Sequence, residues 1–157
     1  MLKRLNQMSN AIIEQVKEWK KQGMTIVFTN GCFDLLHAGH IDNLNAAKGF
    51  GDKLVVGLNS DSSVKRIKGS ERPIMGENDR LKVMRALEMV DAALLFEEDT
   101  PEHLIGQILP DVLVKGNDYK IDNIAGAKIV KDHGGRVELV PLTKGRSTSR
   151  LIEQLKS

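Results

Sequence analysis

Five short runs of apolar and β-branched residues, each separated from the next by a segment with helical spacing, constrain this chain more than any other feature. The runs cover residues 25–29, 53–59, 92–96, 112–115 and 136–142. Helical spacing marks residues 38–48, the series Leu81, Met84, Leu87 and Val90, a helix opened by Thr100-Pro101, and one that closes near His133 ahead of Gly134-Gly135. Pro suits a first helical position because the N–H it lacks has no partner there. Upstream, Ile12, Ile13, Val16 and Trp19 recur at helical spacing with Ser9 or Asn10 as N-cap, so residues 1–22 form an N-terminal helix. Downstream, Ser147 caps a last helix running to Leu155, and residues 60–76, with Lys65, Arg66, Lys68 and Arg72, form a polar segment. Strands alternating with helices imply βαβ units with right-handed crossovers. The expected architecture is a Rossmann-like α/β fold, a parallel five-stranded sheet flanked by helices, in a single domain over residues 1–157.

Composition narrows the function classes. Charged residues make up 28% and hydrophobic residues 41%, a globular balance. The net charge of +2 and the absence of any block of like charges argue against a nucleic-acid arm. No apolar run approaches the ~20 residues that span a bilayer, and residues 1–19 lack the apolar core of a signal peptide. A lone cysteine, Cys32, excludes an internal disulfide and fits a reducing compartment. A cytoplasmic protein with neither nucleic-acid nor membrane partners is expected.

Parallel sheets bind ligands beyond the carboxyl ends of their strands, near the switch in strand order. After the first strand the chain reads Thr29-Asn30-Gly31-Cys32-Phe33-Asp34-Leu35-Leu36-His37-Ala38-Gly39-His40. A dinucleotide fingerprint is excluded because Leu54 stands where the third glycine after Gly49 and Gly51 belongs, and no Gly-Lys-Ser/Thr occurs for a P-loop. Two histidines three apart at a helix start can face one point, where free N–H groups and the positive dipole end favour an anion. Gly39 between them permits close approach of a phosphate. Three readings stay open on these residues alone: a capping and packing pair, a zinc site using Cys32, His37 and His40, or a phosphate site in which both imidazoles donate to one developing charge.

The H-x-G-H element behind Asn-Gly-x-Phe-Asp resembles the signature of the nucleotidylyltransferase superfamily. Further motifs follow in order: Asn59-Ser60-Asp61, Lys68-Gly69 with Arg72-Pro73, Phe96-Glu97-Glu98-Asp99-Thr100-Pro101, Leu109-Pro110-Asp111, Val114-Lys115-Gly116 with Asp118-Tyr119, and Ile124-Ala125-Gly126. With Gly134-Gly135 and Ser147-Thr148, they are similar to the bacterial D-glycero-β-D-manno-heptose 1-phosphate adenylyltransferases, in a stand-alone form, over about residues 25–152.

That resemblance implies transfer of AMP from ATP to the heptose 1-phosphate, giving ADP-heptose and pyrophosphate for the lipopolysaccharide core. It implies catalytic roles for His37, His40 and Lys68. It places Thr29, Asn30, Gly31, Cys32 and Phe33 in a nucleotide-lining turn, and Lys115, Gly116 and Asp118 along the nucleoside. Ser147, Thr148 and Ser149 would hold the β- and γ-phosphates, behind Gly145-Arg146, while Asp34, Lys68 and Arg72 would meet the sugar phosphate. Mg²⁺ would arrive bound mainly through the ATP phosphates, with no protein metal site. A homodimer is also implied. Two departures weigh on the pattern: Asn117 stands where the family often has Gly, and the run from Leu142 to Ser149 lacks the leading Arg of related glycerol-3-phosphate cytidylyltransferases. The alternatives are a cytidylyltransferase of a small phosphorylated alcohol and a non-catalytic nucleotide-binding regulator.

Overall fold

The computed structural model describes residues 2–145 and 147–156; Arg146 lies outside them. Five strands form one all-parallel sheet: β1 (Ile26–Gly31), β2 (Lys53–Asn59), β3 (Ala92–Phe96), β4 (Val112–Gly116) and β5 (Arg136–Val140), in the order β3-β2-β1-β4-β5. The expected Rossmann-like sheet is therefore present. Alternate residues of each strand enter opposite faces, as a period of two requires. Ile26, Phe28, Val55, Leu94, Phe96 and Leu113 pack on one face, and Val27, Leu54, Val56, Leu58, Ala93, Val112 and Val114 on the other. Both faces are covered, which is why these strands read as nearly continuous apolar runs.

Helices α1 (Leu2–Lys21), α5 (Glu102–Ile108) and α6 (Ala127–Asp132) supply Val16, Leu104, Ile105, Ile108 and Val130 to the first layer. Helices α2 (Ala38–Lys48) and α4 (Glu77–Arg85) supply Leu44, Ala47, Leu81 and Met84 to the second. Helix α7 (Thr148–Lys156) buries none of its described side chains. Two expectations need correction. Ser9 and Asn10 lie inside α1 and do not cap it, because the apolar spacing continues upstream through Met8. Residues 60–76 are not simply a polar segment: they contain a further helix, α3 (Asp61–Lys68). Its N-cap is Ser60, whose Oγ accepts the Ser63 N–H at 3.2 Å, and its basic last turn suits the helix dipole.

Candidate active site

The strand order reverses at β1: the chain builds outward through β2 and β3, then returns to place β4 on β1's other side. A crevice belongs at that switch point, and the register shows how it opens. β1 and β2 stay paired from Ile26 to Gly31, whereas β1 and β4 pair only at Val27↔Val112 and Phe28↔Leu113. Beyond those pairs the strands part, and side chains take over the hydrogen bonding. Thr29 Oγ1 donates to the Val114 carbonyl at 3.0 Å, and Lys115 Nζ reaches the Asn30 carbonyl at 3.4 Å. A pocket of about 230 Å³ fills the parting, walled by Thr29, Val114, Lys115, Gly116, Asp118 and Val140 among others. Gly116 keeps this wall open: a Cβ would stand 2.7 Å from Asp118 Oδ1 and 2.8 Å from Leu142 Cδ2, so both side chains would have to shift.

This pocket opens into a larger cavity of about 700 Å³, with which it shares the Asn30–Phe33 turn, His40, Asn43, Lys115, Tyr119 and Leu142. His37 is the extended N-cap residue of α2, and its ring stacks on that of His40 with centroids 3.8 Å apart. The His37 backbone N–H donates to His40 Nδ1 at 3.3 Å, which leaves Nε2 as the protonated nitrogen of a neutral His40 ring. Burial, reinforced by His37, lowers the His40 pKa to about 4, so the ring is a neutral donor near pH 7. His40 thus satisfies the capping reading with one nitrogen and leaves the other for a ligand. The zinc reading finds no support in the geometry: Cys32 Sγ lies 3.9 Å from Asn59 Oδ1, and among the described residues no three His, Cys, Asp or Glu side chains converge on a metal position. Burial also pushes the Cys32 thiol up, keeping it protonated.

Charge in the cavity is predominantly positive. Lys68, Arg72, Lys115 and Lys144 line it, and its two carboxylates are already engaged. Asp99 pairs with Arg66 at 2.7 Å. Asp34, fully buried, accepts Arg72 Nε at 2.6 Å and the backbone N–H groups of Ile74 and Met75 at 2.8 and 2.9 Å. Burial alone would raise the Asp34 pKa, but the Met75 and Ile74 N–H groups and the Arg72 guanidinium outweigh it and hold the carboxyl below its ordinary value. Asp34 therefore orients Arg72 and the loop around it rather than presenting a free carboxylate.

Of the other residues singled out above, Asn30, Gly31, Cys32, Phe33, Ser147, Thr148 and Ser149 line the large cavity, whereas Thr29, Gly116 and Asp118 line only the small one. Thr148 Oγ1 donates to the Leu35 carbonyl at 3.1 Å, and Ser147 Oγ accepts the Arg150 N–H at 3.2 Å. These hydroxyls thus dock and cap α7. Phe33 holds a left-handed backbone (φ 46°) and packs its ring against His40 at 5.3 Å. A non-glycine residue in that region stores strain, which clusters at functional sites.

Arg80 escaped the sequence reading. It is 2% exposed, and its guanidinium ties four segments around the site. Nη1 donates to the Cys32 carbonyl at 2.6 Å and the Asn59 carbonyl at 2.8 Å, Nε to the Met75 carbonyl at 3.0 Å, and Nη2 to Asp61 at 2.8 Å. An arginine in a helix rich in charged residues carries no local mark of such burial. Asn59, which donates to Ser63 Oγ at 3.0 Å, was legible only as the strand-end residue of a motif.

A helix start bearing two histidines, a cationic cavity and an adjoining pocket at the switch point are the features a nucleotidyltransferase needs. The comparisons with known proteins agree. A family model described as cytidylyltransferase-like matches residues 28–153, and the chain belongs to that family. It is 53% identical over 148 residues to the bifunctional protein HldE of Methylobacillus flagellatus, covering 94% of this chain and 30% of that protein. With the bifunctional protein HldE of Geotalea uraniireducens it shares 51% identity over 148 residues, with the same coverage of 94% and 30%. The chain thus spans about 30% of the length of these curated relatives. Among solved structures, the lipopolysaccharide core biosynthesis protein from Thermoplasma volcanium GSS1 aligns with a TM-score of 0.63 at 32% identity, covering 78% of this chain and 99% of that one.

Proposed function

We propose that this chain transfers AMP from ATP to D-glycero-β-D-manno-heptose 1-phosphate, releasing pyrophosphate and forming ADP-heptose for the lipopolysaccharide core. The observation that carries the reading is the crevice where β1 and β4 part, with a small pocket opening into a cationic cavity beside paired imidazoles. The heptose itself rests on the ordered motifs from Asn59 to Thr148, and the likeness to a lipopolysaccharide core biosynthesis protein supports the same product class.

In the proposed reaction an oxygen of the sugar phosphate attacks the α-phosphorus, and the bond from that phosphorus to the oxygen bridging to the β-phosphate breaks. Pyrophosphate leaves with that electron pair. The nucleophile is already an anion, so no general base is required. Catalysis is then positioning and charge stabilisation. His40 Nε2 and His37 would donate to the α-phosphate, Lys68 and the Asp34-oriented Arg72 would hold the sugar phosphate, and Ser147, Thr148 and Ser149 would receive the β- and γ-phosphates. Mg²⁺, arriving with the triphosphate, would neutralise its charge; the described residues offer no converging carboxylate set to cage it. A cytoplasmic homodimer belongs to the same proposal.

The test is pyrophosphate release with ATP and CTP, each against heptose 1-phosphate and glycerol 3-phosphate. ATP with the heptose phosphate should turn over fastest. Faster turnover of CTP with glycerol 3-phosphate would establish the cytidylyl alternative, and no turnover with any pair would favour a binding protein.

A further inference from the structure

Lys115 stands at the carboxyl end of β4 and lines both the small pocket and the large cavity, so its side chain occupies the seam between them. Its ammonium is poorly provided for. It has a long hydrogen bond to the Asn30 carbonyl at 3.4 Å and lies 5.6 Å from the centroid of the Tyr119 ring, and it makes no ion pair among the described residues. Other lysines bound to the framework are treated differently: Lys48 and Lys53 both close on Asp91, at 2.5 and 3.2 Å. The side chain is half-buried, and Asp118 at the exposed β4 exit attracts the ammonium without pairing with it, so its donors remain available to an anion in the cavity.

The two spaces say which anion. The small pocket is partly apolar, with Leu44, Val114, Val140 and Leu142 in its walls, and suits a base. The large cavity carries the cations, the paired imidazoles and the hydroxyls of the α7 start, and suits phosphates. A nucleotide laid across both puts its first phosphate at the seam. Resting on the nucleotide-binding reading of the crevice, we propose that the Lys115 ammonium contacts the α-phosphate of the bound nucleotide and is a third donor to it beside His37 and His40. The ionisable groups around it are Asp118 and Tyr119 from the β4 exit, Cys32 from the β1 exit and His40 from α2. Burial outweighs the attraction of Asp118 and Cys32 and lowers the Lys115 pKa to about 8, so the amine still carries its proton at neutral pH.

Titration of Lys115→Met and Lys115→Arg with adenosine, AMP and ATP, followed calorimetrically and by ligand-observed NMR, tests the contact. Losing a hydrogen bond to a charged group should weaken AMP and ATP alike by roughly 10- to 100-fold in Lys115→Met. Adenosine should bind that variant as it binds the parent, and Lys115→Arg should recover part of the loss. Three results would overturn the assignment: weakened adenosine, which makes Lys115 a base contact; weakened ATP with unaffected AMP, which moves it to the outer phosphates; or unchanged binding throughout. Thermal melts of the ligand-free proteins give an independent readout. Because the Lys115 ammonium makes only a long bond to Asn30 and no ion pair, Lys115→Met should melt as the parent does, and a markedly lower melting temperature would overturn the assignment by making the bond to Asn30 structural. None of these measurements uses a sugar phosphate. A parent protein that shows this pattern but forms no ADP-heptose would refute the sugar and leave the Lys115 contact standing, whereas a parent that binds no nucleotide would overturn both.

Discussion

The imidazole of His40 divides its two nitrogens between fold and chemistry. Nδ1 accepts the backbone N–H that opens α2, and that bond determines which nitrogen carries the proton toward the cavity. Replacing His37 or His40 by Ala should therefore lower kcat by ~10²–10³, the loss typical of one donor to a developing oxyanion, while circular dichroism remains that of the parent. Near-parental turnover in both variants would remove the imidazoles from the mechanism. The low pKa of His40, about 4 against an ordinary 6.5, also makes a stability prediction. Between those values the unfolded chain binds the extra proton, so stability falls as pH drops from about 6.5 toward 4 and takes no His40 dependence above it. Urea midpoints at pH 4.5, 5.5 and 7 should show that slope in the parent and a shallower one in His40→Asn.

Elements meet at the site through buried polar struts rather than through apolar contact alone. Arg80 in α4 holds the β1 exit, the β2 end and the α3 start with one guanidinium. Arg80→Met leaves three carbonyls without that donor and Asp61, 37% exposed, without its partner, and should cost about 1–3 kcal/mol, the penalty for stranding buried acceptors. Denaturant melts check this; a cost near zero would show that the four segments hold without it. Helix α7 is joined more lightly, with the Thr148 hydroxyl on the Leu35 carbonyl. Thr148→Val should raise KM for ATP well above any change in KM for the sugar phosphate, because this helix start is proposed to take the triphosphate. The reverse pattern in steady-state kinetics would transfer α7 to the sugar. Helix α3 was missed in the sequence because a single apolar side chain, Val64, is buried within it while Ile67 stays 44% exposed. Too little periodicity survives to distinguish such a helix from a loop.

At the scale of the whole molecule, hydrophobic patterning carried most of the architecture. Strands buried on both faces must be continuously apolar, and their alternation with helices leaves a parallel sheet as the simplest solution. The bounds of β2, β3 and α2 follow directly from the chain. The anion-binding helix start is equally local, because glycine, histidine and helix polarity act within a few residues of one another. Pairings across long sequence distances are different. Nothing local says that β4 leaves β1 after two residue pairs, that Asp34 commits its carboxylate to a loop 40 residues away, or that Arg80 is drawn inside. The five strands, their parallel arrangement and the histidine pair were already legible in the order of residues, since they depend on near-neighbour spacing and burial. Which charged groups neutralise one another, and which, like Lys115, are left facing the crevice, emerged only once the chain was folded, because electrostatic pairing depends on distance in space and not on distance along the chain.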